Sequence, residues 1–211
     1  MTRYAMVIDL ARCVGCDNCS IACKAENATP RGVLWNHVLK YETGIYPDSR
    51  LHYLPMHCMH CAEPECEKVC PTGAITKRED GIVAIDSDRC MGCRYCTLAC
   101  PYGSPHVIDA LCTYYEDYIT PFEKADIRKH QVGISSKCDF CMERVEQGLE
   151  PACVTACVAG ARFFGDLDNP ESEVSRLLEE RNSFVISPEL GTEPSCYYLP
   201  EERSEKKNAR A

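Results

Sequence analysis

The 211-residue chain has no apolar run approaching the ~20 residues a membrane-spanning helix needs, so direct membrane insertion is not expected. It has no excess of positive charge. The formal net charge is −9 before any cysteine ionises, whereas nucleic-acid binding rewards basic patches, so nucleic acid is excluded as a partner. No G-x-G-x-x-G follows a strand-like run, there is no P-loop, and no acid–base pair stands out. A nucleotide-dependent or general acid–base enzyme is therefore not expected. Met1-Thr2-Arg3-Tyr4 leads straight into a strand-like run, so no secretion signal is expected either. The length allows one compact domain or two small ones, and any membrane contact should come through a partner.

What the chain has is cysteine, eighteen in all. Cysteines in such number mean disulfides, zinc or iron–sulfur clusters. Disulfides fit badly, because the cysteines come in tight local groups, whereas stabilising bridges close longer loops. The run Cys90-Met91-Gly92-Cys93-Arg94-Tyr95-Cys96-Thr97-Leu98-Ala99-Cys100-Pro101 reads C-x2-C-x2-C-x3-C-P. That is the binding signature of a bacterial ferredoxin: three thiolates wrap one cubane and the fourth ligates a second. Pro101 stops the turn from continuing as an ordinary helix. A lone CxxC would be weak; the full run favours iron over zinc.

Sixteen of the cysteines fall into four groups: Cys13, Cys16, Cys19, Cys23; Cys58, Cys61, Cys66, Cys70; Cys90, Cys93, Cys96, Cys100; and Cys138, Cys141, Cys153, Cys157. Four times four is the count for four [4Fe-4S] clusters. An internal duplication underlies them. Ile8-Asp9 and Arg12-Cys13-Val14-Gly15-Cys16 match Ile85-Asp86 and Arg89-Cys90-Met91-Gly92-Cys93. Pro64-Glu65-Cys66 through Gly73-Ala74 matches Pro151-Ala152-Cys153 through Gly160-Ala161.

Spacing decides which groups share a module. Nineteen residues separate Cys70 from Cys90, against 34 between Cys23 and Cys58 and 37 between Cys100 and Cys138. The short gap holds a hairpin, with Ile75 to Lys77 and Ile82 to Ile85 flanking the Glu79-Asp80-Gly81 turn. Groups two and three thus form one ferredoxin module. Groups one and four form the other, with Tyr4 to Ile8 pairing Ala161 to Phe164. The expected fold is α+β: two interleaved bacterial ferredoxin-like modules, each with two [4Fe-4S] clusters, one inserted within the other, with β-hairpin and loop excursions. Residues 1–57 and 101–211 form the first module with its partner-binding excursions, and 58–100 the inserted one. Crossed ligation then predicts four iron clusters: a (Cys13, Cys16, Cys19 with Cys157), b (Cys138, Cys141, Cys153 with Cys23), c (Cys58, Cys61, Cys66 with Cys100) and d (Cys90, Cys93, Cys96 with Cys70).

The rest reads as scaffold or contact surface. Val33 to Glu42 and Arg50 to Pro55 look like strands of a hairpin arm; Trp35 there suits packing, or an interface anchor. Val107 to Ser136 is long for a loop between cluster motifs and reads as a binding excursion or lid, with Tyr114, Tyr115 and Tyr118 suited to either protein contact or core. Asn169 is expected to cap a helix with Pro170 in its first turn and Val174, Leu177 and Leu178 as its apolar stripe. Glu201 to Ala211 is charged and apolar-poor, a solvated or partner-draped end. Cys112 and Cys196 fall outside the groups and read as free or buried thiols. His57 and His60 flank Cys58 and Cys61. With four thiolates per cubane already available they read as groups around a cluster or as surface residues, not as Rieske-type ligands. Sixteen used ligands leave no open iron for substrate, so the chain is expected to move single electrons and not to be an enzyme by itself.

The four-group pattern, the widened C-x2-C-x11-C-x3-C of group four and the Phe164-Gly165-Asp166-Leu167-Asp168-Asn169-Pro170 run resemble one family over residues 4 to 200. It is the four-cluster electron-transfer (beta) subunits of dimethyl sulfoxide reductase-type molybdenum oxidoreductases, including those of polysulfide, thiosulfate, tetrathionate and arsenate reductases, pyrogallol transhydroxylase and catechol dehydroxylases. The resemblance implies a catalytic (alpha) partner holding a molybdenum (or tungsten) bis-pterin guanine dinucleotide cofactor. It also implies a quinone-linked membrane subunit or a soluble carrier as the other redox partner. In that family the module of groups one and four lies nearer the catalytic subunit, which makes clusters a and b proximal and c and d distal. Cys93 stands where nitrate reductase beta subunits carry Trp and a three-iron cluster, so four [4Fe-4S] clusters are implied. Val158 replaces the proline that often follows the last cysteine. The Tyr118 to Glu123 stretch with His130 and Gly133 leans toward the arsenate reductase and aromatic (de)hydroxylase side. Co-export with the catalytic subunit implies the outer face of the cytoplasmic membrane, with cytoplasm as the alternative. A stand-alone or hydrogenase-type polyferredoxin and a zinc-organised interaction module are the competing readings.

Overall fold

The computed structural model describes residues 2–110, 113–115, 118–126 and 130–201. Its central strand is Tyr4–Asp9 (β1), in which Ala5, Met6, Val7 and Ile8 are all buried. A strand covered on both faces reads as a continuous apolar run, not an alternation. Met6 and Ile8 face the main core, and Val7 faces a second cluster with Val174 and Leu199. β1 is followed by a helix at Asn18–Asn27 (α1) and the hairpin arm His37–Thr43 (β2) and Arg50–Met56 (β3). Next come Glu65–Lys68 (α2), the antiparallel pair Ile75–Lys77 (β4) and Val83–Ile85 (β5), and Tyr95–Ala99 (α3). The long excursion opens and closes on a short pair, His106–Val107 (β6) and Ser135–Ser136 (β7), and contains Pro121–Asp126 (α4). Met142–Glu146 (α5), Ala152–Thr155 (α6), Arg162–Asp166 (β8), Glu173–Glu180 (α7) and Cys196–Leu199 (β9) complete the chain.

β1 pairs antiparallel with β8, Tyr4 opposite Asp166 and Ile8 opposite Arg162; the pairing is the expected one, but the partner strand runs from Arg162 to Asp166 and not from Ala161 to Phe164. Its other edge is covered by β9 in parallel, Met6 opposite Cys196 and Asp9 opposite Leu199. The sequence reading did not contain this third strand. Both expected hairpins form, the arm's first strand starting at His37, four residues after Val33. α7 begins later than expected. Its cap is Ser172, whose Oγ accepts from Ser175 N at 3.2 Å, while Asn169 instead closes a turn by accepting from Glu171 N at 3.0 Å. Val174 is fully buried, with Leu177 and Leu178 packed beside it.

The duplication is visible in the backbone. Gly15 and Gly92 both have positive φ (66° and 72°), and so do Asp17 and Arg94 (61° and 66°), each just before its helix. Non-glycine residues seldom adopt that region; the matching pair marks the same chain path around two thiol triplets. Met6, Ile8, Met56, Met59, Ile82, Phe140 and Tyr198 share one buried core, so the 58–100 stretch and the flanking segments pack as one hydrophobic unit. Among the described residues no helix is long and apolar enough to cross a membrane.

Candidate metal centres

Cysteine groups one, two and three are each a loop opening into a helix, whereas group four spans two helices, with Cys141 just before α5 and Cys153 within α6. Cys13, Cys16 and Cys19 precede or open α1, and Cys157 follows α6; these four line one cavity, together with Ile8, Val38, Pro55 and Ala161. Cys58, Cys61, Cys66 and Cys100 line a second, with Met59, Val83 and Pro105. In both, three thiols of one group meet the last thiol of another. The Cys23, Cys138, Cys141 and Cys153 thiols lie within one another's electrostatic reach. The Asn27 amide spans two of them, 3.6 Å from Cys23 Sγ and 4.0 Å from Cys141 Sγ. Cys70 and Cys96 pack in a third buried cluster with Ile75, Val83 and Ile85. Cys90 and Cys93 are half-buried nearby in sequence. Among the described residues no three His, Cys, Asp or Glu side chains converge closely enough to hold a single metal ion; the thiols line cavities instead.

The electrostatics of these cavities suit a multi-iron cation held by thiolates. Burial first, then mutual repulsion, pushes the Cys141 and Cys66 thiols up to about 12 and Cys61 up to about 11. Cys23 and Cys138 are driven up for the same reasons. Four such thiols cannot ionise side by side without a counter-charge, which a bound cluster provides, since coordination deprotonates a thiol outright. The duplicated loop after the last cysteine also recurs in its hydrogen bonding. Ala161 N donates to Cys157 Sγ at 3.2 Å. At Cys70 burial raises the thiol, but the Thr72 hydroxyl and the N–H groups of Ile75, Ala74 and Thr72 outweigh it and bring the pKa below its ordinary value. Hydrogen bonds to cluster sulfurs are one of the protein's means of tuning potential.

Two cations are buried among these sulfurs. Arg162, at the start of β8, reaches Cys153 Sγ at 3.6 Å, Met6 Sδ at 3.5 Å and Asn36 Oδ1 at 3.0 Å. Burial opposes its charge, yet the fields of Cys153, Cys19 and Cys157 hold its pKa above the ordinary value. Lys137 donates to the Cys138 carbonyl at 3.0 Å and to the Val83 carbonyl. Its ammonium is likewise opposed by burial and held charged by Cys58, Cys138 and Cys66. A buried cation needs an anionic partner: Arg162 bonds the Cys153 sulfur directly, whereas Lys137 bonds two backbone carbonyls within the field of Cys58, Cys138 and Cys66. Sequence reasoning passed over both, since isolated basic residues carry no motif.

His57 and His60 are buried, not on the surface. His57 Nδ1 lies 2.7 Å from the Cys58 carbonyl, and His60 Nδ1 accepts from Val83 N at 3.1 Å while its ring stacks on Phe140. Both rings are held neutral: burial brings His57 down to about 3 and His60 well below its ordinary value. Cys196 is a buried thiol in β9, and Cys112 lies outside the described residues. Trp35 packs: its Nε1 donates to Ser136 Oγ at 3.1 Å and its ring meets His130 edge-on, tying the arm to the excursion. Tyr114, Tyr115 and Tyr118 are all exposed, and Tyr114 is tethered, its hydroxyl donating to the Thr29 carbonyl at 3.3 Å with the Lys24 ammonium over its ring. Of the charged tail only Glu201 lies within the described residues. It pairs with Arg50 at 2.7 Å and His52 at 3.2 Å on the arm.

The chain is similar to known proteins over nearly its whole length. A 4Fe-4S dicluster domain model matches residues 49–115 and 117–167, and a second 4Fe-4S dicluster model matches residues 12–74. A selenate reductase subunit of Mesobacillus selenatarsenatis is 41% identical, covering 93% of this chain and 72% of that protein. A sulfite dehydrogenase subunit of Allochromatium vinosum is 38% identical, covering 97% and 85%. The arsenate respiratory reductase iron-sulfur subunit of a Shewanella species is 38% identical, covering 93% and 96%.

Proposed function

Since the chain belongs to the [4Fe-4S] electron-transfer subunits of dimethyl sulfoxide reductase-type molybdenum oxidoreductases, we propose that it relays single electrons through four clusters between a molybdopterin catalytic subunit and a second redox partner. The observation that carries this reading is the pair of cavities in which three thiols of one group meet the last thiol of another. The ligand sets are Cys13, Cys16, Cys19 and Cys157 (a); Cys138, Cys141, Cys153 and Cys23 (b); Cys58, Cys61, Cys66 and Cys100 (c); and Cys90, Cys93, Cys96 and Cys70 (d). The bound clusters supply the one-electron chemistry. This chain's residues hold them, exclude water and aim N–H groups and cations at the sulfurs.

In this reading the module of 1–57 and 101–211 carries a and b and faces the catalytic subunit, and the inserted 58–100 module carries c and d and faces the quinone-linked membrane subunit or soluble carrier. Apolar side chains left exposed beside both outer sets support contacts at both ends. Val14, Ile21 and Val158 flank set a, and Met91, Tyr95 and Leu98 flank set d. The arm tip, with Ile45 86% and Tyr46 89% exposed, supports a further grip on a partner and favours an obligate subunit over a free shuttle. The complex then works at the outer face of the cytoplasmic membrane.

The test is elemental analysis of the complex purified anaerobically from its host. About sixteen iron atoms per copy of this chain, plus the partner's own, with stoichiometric molybdenum or tungsten, is the expected result. Iron without molybdenum or tungsten moves the chain to another kind of enzyme as a polyferredoxin. Zinc in place of iron overturns the reading.

A further inference from the structure

Arg162 and Lys137 occupy places that a uniform scaffold would not fill with charge. Arg162 lines the cavity of Cys13, Cys16, Cys19 and Cys157, yet its guanidinium bonds to Cys153, which belongs to the neighbouring set. Lys137 lines the cavity of Cys58, Cys61, Cys66 and Cys100, yet it precedes Cys138 and binds that residue's carbonyl. Both side chains are buried, at 4% and 3% exposure. Among the described residues neither forms an ion pair with a carboxylate. Asp139 lies within the field of the Lys137 ammonium, but its carboxylate accepts from the Cys141 N–H at 2.8 Å instead. Each cation therefore stands between two successive thiol sets, Arg162 between a and b, Lys137 between b and c.

We propose that Arg162 and Lys137 set the relative potentials of the clusters, so that an electron leaving c or a comes to rest on b. The inference builds on the ligand sets proposed above. A thiolate-bound cluster is anionic and gains one further negative charge on reduction. A fixed cation in a water-poor interior stabilises the reduced form more than the oxidised one and raises the potential. Among the described residues, set b has two such neighbours, a and c have one each, and d has none. In the step from c to b, c gives up one electron and is oxidised, b accepts it and is reduced, and no proton or ligand moves. Arg162 and Lys137 act here as positioning charges, without joining the iron.

The experiment is a redox titration of the intact complex followed by electron paramagnetic resonance, with iron counted in every sample. Four reducible clusters in the wild type are the condition set by the ligand reading; fewer clusters would defeat that reading and not this one. Arg162→Gln is expected to lower two midpoint potentials, each by about a tenfold change in the reduced-to-oxidised ratio, ~59 mV for one electron. Lys137→Gln is expected to lower two, sharing one cluster with the first pair, and d should not move in either. Arg162→Lys should restore most of the shift. Should Arg162→Gln lose iron, Asn36→Asp places a carboxylate against the guanidinium, which bonds Asn36 Oδ1 at 3.0 Å, and is expected to lower the same two potentials without removing the side chain. Unchanged potentials at full iron content, or an equal shift of all four clusters, overturn the proposal.

Discussion

The carbonyl of Gly133 lies where a side chain on Gly92 would have to go. Gly92 sits between Cys90 and Cys93 with φ 72°, so the excursion closes backbone-to-backbone over the thiol loop of group three. In the duplicated copy, the Tyr53 ring from the hairpin arm covers Gly15 in the same way. Gly92→Ala is expected to cost about 1–2 kcal/mol for the left-handed backbone and, in addition, to push the excursion away. Gly148 has φ 74° but open space around it, so Gly148→Ala should carry the conformational cost alone. Thermal unfolding and iron content of the two variants separate the terms. Equal losses would mean that the Gly92–Gly133 contact contributes nothing.

Ser172, not Asn169, begins the last helix. Its hydroxyl accepts from Ser175 N and also donates to the Asp166 carbonyl at 2.6 Å, fastening α7 to the end of β8. Ser172→Ala is expected to cost about 1 kcal/mol, and Asn169→Ala less, since Asn169 closes only a local turn. Denaturant melts of the holoprotein rank the two; a larger loss at Asn169 would contradict the capping assignment.

That choice between two nearby cap-forming residues illustrates what the sequence could and could not specify. Local signals were sufficient where one existed, the Glu79-Asp80-Gly81 turn for β4 and β5 and the strand-like runs for the arm, while the β1–β8 pairing followed from the cysteine spacing that joins groups one and four. β9 had none. Four residues, Cys196 to Leu199, reach β1 in parallel from nearly the whole chain away, with no turn or helix signal to announce the pairing. Arg162 and Lys137 likewise look like any surface charge until packing buries them. Thr120-Pro121-Phe122-Glu123 is different. It carries a readable capping-box pattern, which the length of the excursion obscured.

Cys93→Ser probes the ligand sets directly. The variant is expected to lose or convert one cluster, seen as a missing or altered resonance and a deficit of iron, and to lose turnover driven by the physiological donor. Artificial dyes that deliver electrons nearer the catalytic subunit should still support it, because set a lies at the other end of the proposed relay. Four intact clusters with donor-linked turnover would show that Cys93 is not a ligand.

The excursion itself should respond to acid through Glu123. Thr120 Oγ1 donates to Glu123 Oε2 at 2.7 Å, Thr120 N donates to the same oxygen at 2.9 Å, and Glu123 N returns a bond to Thr120 Oγ1 at 3.1 Å. Tyr114 N donates to Oε1 at 2.8 Å, so one carboxylate starts α4 and holds the tyrosine-bearing segment against it. The Thr120 backbone bond, then the Thr120 hydroxyl and the Tyr114 N–H, hold its pKa below the ordinary 4.5. The folded state thus binds fewer protons there than the unfolded chain. Its contribution is complete above about pH 4.5 and fades as pH falls through the lowered folded value. Hydrogen exchange, corrected for the intrinsic rate, is expected to quicken at residues 113–115 and 118–126 as the solution is taken below about pH 4.5, while residues 75–85, which serve as the reference for cluster loss, stay protected. Glu123→Gln should show the faster exchange even at neutral pH and lose the acid response. Exchange that is the same in the variant and the parent at neutral pH would remove Glu123 from the structure of the excursion.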